Sequence, residues 1–136
     1  MRVVRYPKGT VLLVLPAYNE EASLPSTVAE CCQVVEPEDV LVVDDASTDA
    51  TADVVRQLGV RSGRLPVNLG IGGAVQTGYR YALRAGYRVA VQVDADGQHD
   101  PRDVPALVEP VLQGRCDMAI GSRYLTAEGF ISTLPR

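Results

Sequence analysis

The sequence predicts an α/β fold with a doubly wound, mostly parallel sheet and helices on both faces. Short apolar runs, helical periodicity between those runs and polar clusters directly after them support this fold class. Val11–Leu15 and Val40–Val43 are apolar at every position, which is typical of strands buried on both faces. Strands that alternate with helices favour parallel pairing through right-handed crossovers.

The first two helices follow these two runs. A helical pattern covers about residues 20–35, and Pro25 is tolerated because it falls near the first turn. The second helix runs to about Leu58, and Ser47 or Thr48 is expected to be its N-cap.

The middle of the chain continues the alternation. Gly59 ends the second helix, and residues 60–65 form a shorter, weaker strand. Apolar and small residues at helical spacing predict a third helix over about residues 70–85, ended by Gly86. The fourth strand is expected over residues 88–93.

A helix over about residues 102–113 and a fifth strand over residues 116–120 complete the series. No internal repeat, low-complexity tract or linker interrupts it, so we expect residues 1–136 to be a single domain.

Composition narrows the functional class. Apolar residues make up 46% and charged residues 22% of the chain, as in ordinary globular proteins. No apolar run approaches the roughly 18 residues that span a bilayer, and the N-terminus lacks the pattern of a signal peptide. Three cysteines without metal-ligand spacing indicate reduced thiols. We therefore expect a cytoplasmic protein, peripheral to the inner face of the membrane if it contacts a membrane.

Charge is distributed unevenly along the chain. Residues 54–93 contain no aspartate or glutamate, whereas the acids cluster on either side. This stretch contains six arginines: Arg56, Arg61, Arg64, Arg80, Arg84 and Arg88. Carboxylates and arginines together would suit a metal–phosphate ligand. The last three arginines form a stripe that is either a solvated helix face or a face near anionic lipid headgroups, and the sequence leaves both open.

Polar clusters follow three of the predicted strands. Residues 16–20 follow the first strand, Asp44 and Asp45 the second, and residues 94–96 the fourth. Ligands of open parallel sheets bind outside the carboxyl ends of the strands. The three clusters are therefore expected to meet at one edge of the sheet and form a site.

Asp94-Ala95-Asp96, an Asp-x-Asp motif, carries the strongest local signal for chemistry. Side chains two positions apart on an extended segment point to the same side, so both carboxylates can face one cation. Mg²⁺ or Mn²⁺ prefers carboxylate oxygens and commonly retains phosphate oxygens as further ligands. Aspartate pairs are also common in surface loops, but the position after a buried strand favours the metal interpretation.

The ordered motifs of this chain resemble those of family 2 glycosyltransferases. They are Pro16-Ala17-Tyr18-Asn19-Glu20, Val43-Asp44-Asp45-Ala46-Ser47-Thr48-Asp49, Asn68-x-Gly70, Asp94-Ala95-Asp96-Gly97-Gln98-His99-Asp100-Pro101 and Gly121-Ser122-Arg123-Tyr124. The details are most similar to the branch with dolichyl-phosphate mannose synthase and bacterial polyprenyl-phosphate glycosyltransferases. The resemblance implies the GT-A fold, which is Rossmann-like, and a role in cell-envelope glycan or glycolipid synthesis.

The resemblance also implies which residues bind the nucleoside. Pro16, Tyr18 and Glu20 would line its pocket, with Glu20 near the ribose. Asp44 or Asp45 would accept a hydrogen bond from a ring N–H of uracil or guanine. Simpler roles are packing for Tyr18 and stabilisation of the next helix N-terminus for Asp45.

The metal and phosphate site implied by the resemblance lies in later motifs. Asp94, Asp96 and Gln98 would hold a divalent cation, Mg²⁺ or Mn²⁺, on the diphosphate, which makes the two aspartates catalytic. Arg123 would bind phosphate oxygens. His99 is expected to be a loop residue rather than a base or a ligand.

The reaction implied is a metal-dependent, inverting transfer of a sugar from a nucleoside-diphosphate sugar to a polyprenyl phosphate. A phosphate acceptor needs no general base, and no further catalytic carboxylate is recognisable after Asp103. No nucleic acid is expected as a partner. Family members normally continue further, so we expect truncation on the C-terminal, acceptor-binding side.

Two other classes of protein are alternatives. A non-catalytic or truncated nucleotide-sugar-binding module would share every motif. A response-regulator receiver domain would need a lysine after the fifth strand, where Gly121 and Ser122 stand, and the chain's single lysine is Lys8. Residues 68–73 lack the last glycine of a dinucleotide fingerprint and follow the third strand, so they predict a tight turn instead.

Overall fold

In a computed structural model, residues 4–122 are described. The elements in chain order are β1 (Val11–Ala17), α1 (Leu24–Cys31), β2 (Val40–Asp44), α2 (Thr51–Gln57), β3 (Arg61–Arg64), α3 (Gly70–Ala85), β4 (Val89–Gln92) and α4 (Val104–Leu112). Short 3₁₀ turns at Pro37–Asp39 and Pro101–Asp103 precede β2 and α4.

The four strands form one parallel sheet in the order β3-β2-β1-β4. β1 lies in the middle and is buried along its whole length. The order reverses at β1, where β2 pairs on one side and β4 on the other, and such a switch point leaves a crevice at the carboxyl ends. In the flavodoxin-like order of receiver domains the third strand pairs with the first, whereas here β3 pairs with β2.

Helices cover both faces of the sheet, as the sequence predicted. One apolar cluster joins the β1 residues Leu13 and Leu15 to Val28 of α1, Val55 of α2 and Val108 of α4. The second cluster lies beneath α3 and contains Leu12, Val14, Leu41, Val43, Ala74 and Ala82. Three helices therefore share one face, and of the helices in residues 4–122 only α3 packs on the other.

α3 lies very close to the central strand at Gly78. A Cβ built on Gly78 would be 2.2 Å from Cγ1 of Val14 and 2.9 Å from its Cγ2. No side chain larger than hydrogen fits between the helix and β1 without movement. Gly78 therefore sets the distance at which α3 covers the sheet.

Two predictions about secondary structure were wrong. Residues 116–120 form no strand, and Met118 and Ile120 within them are exposed, so this segment lacks the ladder and burial that hold the four strands together. Ser47 and Thr48 do not cap α2, which begins at Thr51 after Ala50. Both residues instead bind the loop after β1, as described below.

Other boundaries differ by a few residues. α1 is confined to Leu24–Cys31, and β3 is a four-residue edge strand whose residues are all exposed. Cys31 is fully buried, and burial raises the pKa of its thiol to about 12, as expected for a packing residue. Within residues 4–122, no helix combines the length and apolar character needed to cross a bilayer.

Candidate functional site

A cleft of about 180 Å³ opens at the carboxyl ends of β1, β2 and β4, beside the first turn of α3. Its walls come from all four elements: Pro16, Ala17, Tyr18, Glu20, Asp45, Ile71, Ala74, Asp94, Ala95 and Asp96. The structure thus brings together the segments that the sequence placed at one edge of the sheet.

The alternation of strand residues explains which side chains reach this cleft. The layer beneath α3 takes every second residue of β1 and β2: Leu12, Val14, Leu41 and Val43. Continued by steps of two, this alternation places Pro16 in β1, Tyr18 after it and Asp45 after β2 on the α3 side. Asp94 and Asp96 follow Ala90, which packs in the same layer. All five therefore lie on one face of the sheet.

Asp44 and Asp45, between which the sequence left the base-binding role open, differ in position, because the same alternation points them to opposite faces of the sheet. Asp45 lines the cleft, and its Oδ1 accepts a hydrogen bond of 2.7 Å from the backbone N–H of Leu69. Asp44 is buried away from it, where Oδ1 accepts from the Ser47 N–H at 3.0 Å. Its Oδ2 has no hydrogen bond and lies 3.5 Å from Nη1 of Arg64. Asp44 thus holds the β2 loop.

Asn19 joins the loops after β1 and β2, a role that sequence reasoning missed. Its Oδ1 accepts from the backbone N–H groups of Thr48 at 2.8 Å and Asp49 at 3.3 Å. Its own N–H donates to Oγ of Ser47 at 3.0 Å, and the next N–H, of Glu20, donates to Oγ1 of Thr51 at 2.9 Å. These bonds fix Tyr18 and Glu20 relative to the β2 loop.

The backbone at Asn19 explains why this residue type occurs there. Its φ is 54°, in the left-handed region, where asparagine is several-fold enriched among non-glycine residues. An asparagine directly before the predicted ribose-binding residue was therefore a usable signal for a shaped loop.

We expect Asn19→Ala to lower the free energy of unfolding by about 1–2 kcal/mol. Alanine lacks the oxygen that accepts from the N–H groups of Thr48 and Asp49, and it adopts the left-handed backbone conformation less readily than asparagine. Asn19→Asp retains the accepting oxygen and the backbone tolerance, so its loss should be the smaller of the two. Urea unfolding of both variants provides the measurement. Equal stability of Asn19→Ala and the wild-type chain would contradict this role.

Glu20 and Tyr18 stand at the entrance of the cleft. Oε2 of Glu20 accepts from Oγ of Ser23 at 2.7 Å, and the same hydroxyl lies 2.8 Å from the carbonyl of Ala95. Ser23 thus connects the β1 loop with the Asp-x-Asp segment after β4. Tyr18 is 46% exposed, so it is not a core packing residue.

Hydrogen bonds with nearby residues hold the Asp-x-Asp segment in place. Oδ1 of Asp94 accepts from Nε2 of Gln92 at 3.0 Å, and Oδ1 of Asp96 accepts from the backbone N–H of Gln98 at 2.9 Å. The backbone N–H of Asp94 donates to Nδ1 of His99 at 3.2 Å, and Nε2 of His99 lies 3.5 Å from Oδ2 of Asp94. His99 therefore borders the first aspartate, which the sequence had not indicated.

Asp100, at the end of this segment, binds Arg102 instead of facing the cleft. Its carboxylate accepts hydrogen bonds from Nε and Nη2 of Arg102 at 2.6–3.0 Å and from the backbone N–H of Arg102. The hydrogen bonds from Arg102 lower the pKa of Asp100. Of the aspartates in this segment, Asp94 and Asp96 are therefore the two that line the cleft.

The donor set determines which kind of metal site these residues could form. Within residues 4–122, no group of three histidine, cysteine or acidic side chains is arranged to hold a metal ion. Two carboxylates beside an open cleft fit a hard cation that takes its other ligands from phosphate and water, as Mg²⁺ commonly does. The residues fit a cation bound jointly with a phosphate ligand and do not fit a closed protein cage.

Comparison with known proteins identifies the family of this chain. The family model described as Glycosyl transferase family 2 matches residues 12–133. The chain belongs to glycosyltransferase family 2. The parallel sheet and its structural neighbours agree with the GT-A fold that the sequence predicted.

Similar family 2 proteins include enzymes that act on lipid phosphates. The undecaprenyl-phosphate mannosyltransferase of Micrococcus luteus is 42% identical over 118 residues, covering 83% of this chain and 48% of that protein. The polyprenol monophosphomannose synthase of Mycolicibacterium smegmatis is 37% identical over 125 residues, covering 88% and 47%. The chain thus spans about half the length of the curated relatives it matches.

Among solved structures, glucosyl-3-phosphoglycerate synthase from Mycobacterium tuberculosis, in complex with Mn²⁺, uridine diphosphate and glucosyl-3-phosphoglycerate, is similar. Its TM-score is 0.59 at 30% identity, with 77% of this chain and 40% of that chain covered. A structure of the same synthase with Mn²⁺, UDP-glucose and phosphoglyceric acid has a TM-score of 0.59 at 29% identity, covering 79% and 40%.

Proposed function

We propose that residues 1–136 form the donor-binding domain of a metal-dependent, inverting glycosyltransferase that uses a nucleoside-diphosphate sugar and a polyprenyl phosphate. One observation carries the proposal: a single cleft contains Asp45 on one side of β1 and Asp94 and Asp96 on the other. Two interstrand spacings separate these acids, about 10 Å across the sheet. One small ion cannot contact both ends, whereas an elongated nucleotide can.

The two ends would bind different parts of the donor. Asp45 uses Oδ1 for the Leu69 N–H, and its other oxygen would accept from a ring N–H of the base. Tyr18 and Pro16 would contact the nucleoside, and Glu20, oriented by Ser23, would accept from the ribose.

The Asp-x-Asp end would hold the diphosphate through a cation. Asp94 and Asp96 would be its protein ligands; a contribution from Gln98 is also proposed. A bound Mg²⁺ or Mn²⁺ would supply stabilisation of the negative charge that develops on the leaving diphosphate. Arg123, the proposed phosphate-binding arginine, lies outside the described residues.

The rest of the mechanism follows from what these side chains do. Asp45 and Glu20 orient the nucleoside, and the linked loops restrict its movement, so little reorganisation is needed on binding. A polyprenyl phosphate oxygen is already anionic near pH 7 and needs no proton removed. The cleft therefore requires no general base for this acceptor class.

Calorimetric titration of UDP- and GDP-sugars, with and without Mn²⁺, tests the proposal. We expect one nucleotide class to bind tightly, and that tight binding to require the cation. Tight binding of equal strength without Mn²⁺ would count against the cation's role, and no binding of either class would refute the donor site.

A non-catalytic nucleotide-sugar-binding module is the second candidate, because every polar side chain that lines the cleft is assigned to the donor. A turnover assay with the Mn²⁺-loaded protein, a bound nucleotide sugar and a polyprenyl phosphate distinguishes the two. Glycolipid formation identifies the transferase, whereas donor binding without product identifies the module.

A further inference from the structure

One flank of α3 carries a continuous row of apolar side chains, here called the α3 ridge: Ile71, Val75, Tyr79 and Leu83. Residues four positions apart are neighbours on a helix surface, so the row is unbroken. Leu83 is 81% exposed, Ile71 61% and Tyr79 42%. Ala74, Gly78 and Ala82, about a quarter turn away around the helix, are buried against the sheet.

Basic residues lie directly beside the α3 ridge. Arg80 and Arg84 follow Tyr79 and Leu83 by one position, and Arg88 comes just after the helix. In the part of the chain that the structure describes, none of these three arginines forms an ion pair or hydrogen bond with an acid. Because residues 54–93 contain no acid, no carboxylate on this helix offsets them.

Exposed apolar residues beside uncompensated arginines are the features of helices that lie in the surface of an anionic bilayer. We propose that the exposed surface of α3 formed by the α3 ridge and these arginines docks on such a bilayer, with the ridge inserted among the headgroups and Arg80 and Arg84 paired with lipid phosphates. The single sign of charge favours an anionic surface over a protein partner, whose interface would ordinarily combine both signs.

The position of Ile71 gives this docking a consequence for the cleft. Ile71 belongs both to the α3 ridge and to the cleft wall, so the ridge leads directly to the site. A bilayer along α3 would bring lipid phosphates to the cleft entrance. The docking itself stands independently, and only this consequence rests on the proposed polyprenyl phosphate acceptor.

Flotation of the full chain with vesicles tests the docking surface. We expect binding to vesicles of phosphatidylcholine with phosphatidylglycerol, weak binding to phosphatidylcholine alone, and release by salt. The double variant R80Q/R84Q should lose about fivefold in affinity for each arginine removed. Leu83→Gln should also weaken binding, since it removes the most exposed apolar side chain of the ridge.

The matched control is R56Q/R115Q, which changes the net charge equally. Both residues are exposed and belong to the opposite layer, Arg56 in α2 and Arg115 just after α4. This control should bind vesicles within about twofold of the wild-type chain if position rather than total charge matters.

Three outcomes would overturn the docking surface. They are no binding of the wild-type chain to phosphatidylglycerol vesicles at low salt, an equal loss in R56Q/R115Q, or full binding by R80Q/R84Q. If the chain self-associates through this face and does not bind vesicles, the docking surface is overturned as well. Calorimetry with donor and Mn²⁺ should be unchanged in R80Q/R84Q, so a failed donor site and a failed docking surface give different results.

Discussion

Gly78→Ala should lower the free energy of unfolding by about 2–3 kcal/mol, although alanine is the better helix former. The added methyl group would lie 2.2 Å from Cγ1 of Val14, far inside van der Waals contact. Val14 is fully buried on the central strand and β-branched, so it has little freedom to rotate away. Overpacking therefore outweighs the gain in helix propensity of about 1 kcal/mol.

Urea unfolding measures this loss, and Gly72→Ala in the same helix is the matched control. A Cβ on Gly72 meets nothing within 4 Å, so alanine there should stabilise the chain by about 0.5–1 kcal/mol. Combining Gly78→Ala with Val14→Ala should cost less than the sum of the two single changes, because the second removes the clash. A Gly78→Ala variant as stable as Gly72→Ala would show that α3 does not pack on β1 at this distance.

Asp96→Ala should weaken donor binding in the presence of Mn²⁺ by about 100-fold or more, because it removes one of two carboxylates proposed to hold the cation. Asp96 is exposed, so the fold should tolerate the change. Calorimetry with and without Mn²⁺ measures the effect. Without the cation, the wild-type chain and the variant should bind the donor equally weakly.

Two further variants separate charge from local shape. Asp96→Asn retains an oxygen for the Gln98 N–H but removes the negative charge, so it should lose most of the cation-dependent affinity. Asp103→Ala removes an exposed acid from the following turn, outside the cleft wall, and should bind the donor like the wild-type chain. Wild-type affinity in Asp96→Ala would exclude Asp96 as a metal ligand.

The buried strands were predictable because their own composition determines them. β1 is apolar throughout and β2 is apolar up to its last residue, Asp44, and both are buried at every position. Such runs fit the central strands of a sheet and little else. The same holds for the position of Asp94, which follows a run that pairs with β1. Residues 116–120 have a similar apolar pattern but gain neither pairing nor burial, and a short run cannot reveal that.

The side-chain contacts were harder to predict than the strands. Whether Asp44 or Asp45 faces the cleft depends on which layer lies above each strand, and this is known only once α3 is placed. The roles of Ser47 and Thr48 depend on Asn19, 28 or more positions earlier in the chain. His99 meets Asp94 because its loop turns back, which its spacing from that residue does not specify.

The alternation that gathers the cleft residues on the α3 side makes the site sensitive to chain length. Deleting one residue within β2 would rotate Asp45 to the far layer and bring its neighbour, Asp44, toward the cleft. Loops such as the one after α4 can change length without this effect, because no paired strand in the described residues follows them. Variation among descendants of this sequence should therefore appear as substitutions within β1, β2 and β4, and as insertions or deletions between the elements.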